Sequence, residues 1–212
     1  DQRKDWFKIR NQWDGYEGWI TQNQGLEIPE EIYKNQADLE IKHATNLMDY
    51  VCLSNSELVP IPLGSDLRLL DFLNHIFEGE TTTIKTKEQL IKNAYAYLHT
   101  PYLWGGKSPM GIDCSGFTQM VYKLNGIVLK RDAYQQAKQG TTLSFIEESE
   151  PGDLAFFDDR DGNITHVGIL LQDHRIIHAH GKVRIDPIDQ TGIFNKELQT
   201  HSHKLRMIKK II

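Results

Sequence analysis

The apolar positions follow two different periods along the chain. Near the start, Trp6-Phe7-Lys8-Ile9-Arg10 alternates as a strand does, Asp14-Gly15 supplies a turn, and Gly18-Trp19-Ile20 resumes the alternation. That pattern predicts an aromatic β-hairpin. Pro29 ahead of Glu30-Glu31-Ile32-Tyr33 predicts a helix start. Leu58-Val59-Pro60-Ile61-Pro62 reads as an edge strand, because prolines lack the N–H that a central strand must donate. Leu67, Leu69, Leu70, Phe72 and Leu73 are expected to be core material, with helix and strand both open. The polar run at 78–83 is the expected boundary between a first unit, 1–83, and a second, 84–212.

Beyond that boundary the period becomes helical. Thr86-Lys87-Glu88-Gln89 fits a capping box, and Leu90, Ile91, Ala94, Tyr97 and Leu98 form one apolar face. Phe117, Met120, Val121 and Leu124 mark the inward face of a second helix, which Asn125-Gly126 stops. Strands follow at 151–157, 166–171 and 175–179. If Gln172-Asp173-His174 is a three-residue hairpin loop, Leu171 pairs with Arg175. His166, Gly168, His178 and His180 then share one face. The class is α+β.

Composition narrows the field without naming a function. Lys and Arg number 24 against 29 Asp and Glu, a net charge of −5, and no basic block occurs. Nucleic acid is therefore not the expected partner. No apolar run is long enough to span a membrane. Two cysteines, Cys52 and Cys114, are too few for a disulfide scaffold or a four-cysteine zinc site. Cys114, His166, His178 and His180 could gather around zinc, but their spacing matches no recognised zinc motif, so neither metal nor cofactor is expected. The chain opens at Asp1 without a basic-apolar leader, as a mature product, a trimmed chain or a fragment would.

The chemistry centres on Cys114. It stands at the start of the second predicted helix, where unpaired N–H groups favour a thiolate, although a lone cysteine is more often a small buried hydrophobe. A facing imidazole could serve as its base and a second could steer the first. In the idealised register His180 lies opposite His166 and His178 lies diagonal to it, so geometry alone leaves both open. Arg131 and Asp132 read either as an ion pair or as a site for a substrate carboxylate. His201 and His203 are expected to be solvated or in a last strand, and His43, His75, His99 and His174 to be surface residues.

The segments YLWGGKSPMGIDCSGF, RDAYQQ, PGDLAFF, HVGILL and RIIHA resemble, in that order, the NlpC/P60 cysteine peptidases. The resemblance spans roughly residues 86–190 and implies a papain-like α+β domain that cleaves bacterial cell-wall peptides. DWFKIR…DGYEGWI resembles the later strands of a bacterial SH3-like β-barrel, whose first strands would precede residue 1. Enzymes so arranged resemble γ-D-glutamyl-L-diamino acid endopeptidases. By position, the resemblance makes Cys114 the nucleophile, His166 the general base and later acid, and His178 the residue that orients it. Tyr102, Asp113 and Ser115 would line the substrate pocket, with Asp113 meeting a free amino terminus, an L-Ala in a murein peptide; Asp113 equally reads as a helix cap. Ala133 stands where many relatives carry a small hydroxyl. Trp104 is expected to pack beneath the site, and Tyr16 and Trp19 are candidate cleft walls. The implied location is the bacterial envelope, with cytosolic peptide recycling as the alternative. A wall amidase or acyltransferase on the same core and a non-catalytic wall-binding module are the rival readings.

Overall fold

A computed structural model describes residues 2–37, 39, 41–82 and 86–212, and the chain divides into two compact units, Asp1–Thr82 and Thr83–Ile212. In the first, strands β1 (Gln2–Arg3), β2 (Trp6–Arg10) and β3 (Glu17–Thr21) form an antiparallel sheet. The β2–β3 pair is the hairpin expected from the alternation, with Gly15 at φ 75° in its connection. Helix α1 (Glu30–Ala37) follows Pro29. Strand β4 (Met48–Cys52) pairs with the proline-bearing β5 (Leu58–Pro62), and its Cys52 bridges Ile76 on the other side.

Three expectations for this unit need correction. No closed barrel forms among the described residues: the strands make a three-stranded sheet and a separate two-stranded one. Closure needs an unbroken circuit of strand pairing, which these two sheets do not supply. The leucines from Leu67 to Leu73 lie in turns or irregular chain rather than in a helix or strand, and none is fully buried. His43 is not a surface residue. It is buried, with its ring edge-on to Trp13 at 5.8 Å.

The second unit begins with α2 (Lys87–Ala96), whose N-cap Thr86 accepts a hydrogen bond from the Gln89 N–H. A short hairpin, β6 (Lys107–Ser108) and β7 (Gly111–Ile112), leads into α3 (Cys114–Leu124) and then α4 (Ala133–Gln136). The remaining strands are β8 (Thr141–Leu143), β9 (Leu154–Asp158), β10 (Ile164–Leu171), β11 (Arg175–His180), β12 (Lys182–Pro187), β13 (Gly192–Asn195) and β14 (Thr200–Lys210). They form one antiparallel sheet in the order β12-β11-β10-β9-β14-β13, with β8 added on β14.

Helix α3 packs against β10 and β11. The apolar pattern predicted one buried face, yet every residue of α3 except Lys123 is buried. Its polar side chains tolerate this because they are hydrogen-bonded. Thr118 donates to the Gln136 side-chain oxygen at 2.7 Å, and the Gln119 amide donates to the Leu129 carbonyl at 2.9 Å. A helix enclosed on all sides is a rigid mount for its first residue, Cys114.

Candidate active site

Cys114 is the first residue of α3, and Asp113 is its N-cap, accepting from the Gly116 N–H at 2.7 Å. The sulfur lies 4.0 Å from the carbonyl oxygen of Thr165 and also receives the Val167 N–H. It therefore borders β10 on both sides of His166. Thr165 is the extra residue of a β-bulge, since the β9–β10 register shifts between Ile164 and His166. A bulge at this point twists the strand and re-aims the side chain that follows it.

The β10–β11 register is the one expected from the three-residue loop: Leu171 pairs with Arg175 and Gly168 with His178. Asp173 and His174 turn the chain at positive φ. The two predicted histidines meet, His166 Nε2 lying 2.8 Å from His178 Nδ1, and both are buried. Gly168 makes this possible, because a Cβ there would come within 2.8 Å of the His178 Cβ. His180, the geometric rival, is exposed, and its ring stands 6.5 Å from that of His166.

Behind His178 stands a residue that sequence reasoning missed. His178 Nε2 lies 3.0 Å from Asp186 Oδ2, and Arg184 grips both Asp186 oxygens at 2.6 and 3.0 Å. Burial alone would raise the Asp186 carboxyl, but the hydrogen bonds from His178 and Arg184 bring it down to about 2. An ionised carboxylate only accepts, which fixes the tautomers in sequence. His178 carries its proton on Nε2, so its Nδ1 accepts; His166 then donates from Nε2 and keeps the lone pair on Nδ1. His178 sits opposite Arg184, and Asp186 is diagonal to it across the β11–β12 pair. The alternation of Val183, Arg184, Ile185 and Asp186 after the Gly181 turn was the available signal.

The resting pair is neutral. Burial, followed by the charges of His178, His203 and His180, holds His166 well below its ordinary value. Burial, followed by the Asp113 carboxylate, pushes the Cys114 thiol up to about 11, against the N–H groups of Val167, Ser115 and Cys114. The helix N-terminus therefore does not by itself produce a standing thiolate, as the sequence reading had suggested. A free imidazole lone pair on the strand that borders a neutral thiol suits proton removal during attack on a carbonyl.

A model of the NlpC/P60 family matches residues 99–202, a stretch that contains Cys114, His166, His178 and Asp186. Residues 99–202 are an NlpC/P60 family domain. A gamma-D-glutamyl-L-lysine dipeptidyl-peptidase of Bacillus cereus is 29% identical over 91% of this chain and 68% of its own length. The Bacillus subtilis protein of the same name is 39% identical over 53% of this chain, and dipeptidyl-peptidase 6 of Lysinibacillus sphaericus is 36% identical over 54%. The chain spans 39% and 41% of the length of those two. In fold, a crystal structure of an NlpC/P60 family protein from Bacillus cereus superposes with a TM-score of 0.79 at 23% identity, covering all of this chain and 77% of that one. The NlpC/P60 domain is of cysteine-peptidase type, with mixed helix and strand and mostly sheet.

Around the cysteine of this NlpC/P60 domain, Asp113 is heavily committed. Its Oδ2 accepts from Gly105 N–H at 2.8 Å and from Arg131 at 2.6 Å, and its Oδ1 accepts from Gly116, Arg131 and Ser115. The helix-cap reading of Asp113 is thus realised, and Arg131 pairs with Asp113 rather than with Asp132, which caps α4. Ser115 is buried and accepts from Arg131 at 3.0 Å. Half-buried Tyr102 donates its N–H to the Gly181 carbonyl, and burial, then the Cys114 and Asp113 charges, raise its phenol. Trp104 does not pack beneath the site: it is 86% exposed on a loop turned by Gly105 at φ 79°. His203 lies in the last strand, as one of the two expectations held, but with its ring 4.2 Å from that of His166. His201 instead pairs with Asp189.

Proposed function

We propose that this chain is a thiol hydrolase that cuts the γ-D-glutamyl-L-diamino acid bond of cell-wall peptides. The observation that carries the reading is the relay Asp186–His178–His166, which leaves His166 Nδ1 with a lone pair on the strand bordering Cys114. The names of the Bacillus relatives point to the same bond.

As the Cys114 sulfur attacks the γ-carbonyl carbon of D-Glu, its proton passes to His166 Nδ1. The resulting imidazolium is stabilised through Nε2–H to His178, which keeps its own proton on the Asp186 side and stays neutral. The tetrahedral oxyanion would be met by backbone N–H groups at the start of α3, a contribution of about 3 kcal/mol per donor. Collapse breaks the C–N bond, and His166 returns the proton to the departing amine of the diamino acid. Water, deprotonated by His166, then hydrolyses the thioester and frees the thiol.

Tyr102 and Ser115 are assigned to the pocket wall. Asp113 is assigned to holding Arg131 and the helix start, because an ammonium group would have to displace Arg131 to reach it. The substrate is a murein peptide with a free L-Ala terminus, and the location is the bacterial envelope. Residues 84–212 are read as the catalytic, papain-like domain and 1–83 as an open, SH3-like β region that accompanies it. The test is incubation with L-Ala-γ-D-Glu-diamino acid peptides, amino-blocked and free. Release of the L-Ala-D-Glu dipeptide that disappears in Cys114→Ala is the expected result. Turnover confined to a glycan-linked or lipid-linked amide would overturn the bond assignment.

A further inference from the structure

We propose that His203 is a positioning residue for His166: its ring lies against the face of the His166 imidazole, holds that ring in one plane and screens it from water. The inference rests on the reading of His166 as the general base, and position 203 lies just past the stretch matched by the family model.

The need for such a residue comes from the geometry. The hydrogen bond from His166 Nε2 to His178 fixes one point of the ring, yet leaves it free to tilt about that contact. The second side-chain torsion of histidine is broad, so nothing intrinsic restrains the tilt. The rings of His178 and Phe157 stand at 83° and 45° to that of His166, so neither lies flat on its face. His203 does, with 4.2 Å between centroids and 28° between planes.

His203 is itself anchored. Its Nδ1 is 2.8 Å from Ser202 Oγ, and its ring meets Phe157 edge-on at 6.0 Å and His180 at 4.8 Å. Its backbone is clamped by β13, where a Cβ on Gly192 would collide with the His203 carbonyl. Burial, then the charges of His178 and His180, hold the His203 ring down to about 4, so it is neutral near pH 7. A neutral ring can lie against an imidazolium formed during turnover without like-charge repulsion. The titratable groups facing His166 are His178 and His180 on β11 and His203 on β14, and Cys114 on α3 borders its strand through the Thr165 carbonyl. Asp186 and Arg184 on β12 reach it through His178.

The test combines kinetics with proton NMR titration of the His166 ring in the full chain, using His203→Ala and His203→Phe. Loss of the covering ring in His203→Ala should lower kcat about tenfold with KM within about twofold, since a misaligned base impairs proton transfer more than binding. The His166 midpoint should rise by about one pH unit, because water regains the face of the ring and favours its charged form. His203→Phe, which keeps a flat cover, should stay near the parent in both. A merely structural role would move stability and leave the His166 titration in place, and that result overturns the proposal. Equal losses in both variants overturn it too, since the imidazole rather than the cover would then matter. If His203→Ala does not fold, His203→Gln removes the ring plane while retaining bulk. Should the parent chain lack Cys114-dependent hydrolysis, the functional reading fails, and the titration still decides the positioning claim.

Discussion

Gly168 is the most economical place to perturb the relay without touching any of its members. A methyl group added there would lie 2.7 Å from Ile176 Cδ1 and 2.8 Å from the Cβ of His178. Ordinary carbon contacts start near 3.5 Å, so about 0.7 Å must be found. Ile176 can surrender some of it by changing rotamer, but the His178 Cβ is fixed to the strand, and β11 must move away from β10. A shift of that size carries the 2.8 Å His166–His178 contact past about 3.2 Å, where an N–H···N bond weakens steeply. Overpacking of this kind costs about 1–3 kcal/mol of stability. Loss of the orienting bond should lower kcat by at least about tenfold. Urea denaturation and steady-state kinetics on Gly168→Ala measure the two effects. A variant with parental stability and parental kcat would refute the claim that this glycine is what lets the two histidines meet.

Further tests address the other parts of the site. His166→Ala should cost about 10³–10⁴ in kcat, His178→Ala about 10², and exposed His180→Ala little; sensitivity at 180 with indifference at 178 would reassign the orienting residue. Arg131→Ala takes the cationic partner from the buried Asp113 carboxylate, which keeps its N–H and hydroxyl donors, and should destabilise the fold by about 3 kcal/mol, read by chemical denaturation. His166 is depressed below 6.5, so it stays a free base into mild acid, and kcat/KM should fall only below that value. The unfolded chain takes up this proton first, so His166's contribution to folding stability, full above 6.5, is lost as pH falls from 6.5 through its folded value. The Cys114 thiol near 11 predicts slow alkylation by iodoacetamide at pH 7, accelerating as pH rises; a rate already maximal at pH 7 would show a standing thiolate instead.

Local pattern revealed what is locally determined. The alternation of β10 and β11 and the length of their loop were enough to place His166 and His178 on one face, and Thr86 and Asn125-Gly126 marked helix ends correctly. That His178 rather than His180 meets His166 is not a matter of period: it goes with the bulge at Thr165 and with Asp186, which arrives from the next strand. His203 was illegible because β14 joins the sheet beside β9, a pairing between segments far apart in sequence. Trp104 and His43 failed for opposite reasons. A bulky ring beside glycines reads as core, yet the loop holds it outward, while an unpatterned histidine reads as surface, yet it is buried with Trp13 edge-on to its ring. The strands of the first unit were legible one by one, whereas barrel closure depends on long-range pairing that alternation does not encode.

The sulfur of residue 114 carries the whole account, and acid-quenched mass spectrometry observes it directly. Mixing the protein with an L-Ala-γ-D-Glu-diamino acid peptide and quenching within the first turnover should leave the L-Ala-γ-D-Glu acyl group as a thioester on the tryptic fragment bearing Cys114. Hydrolysis that proceeds with that fragment unmodified, and persists in Cys114→Ala, would contradict it.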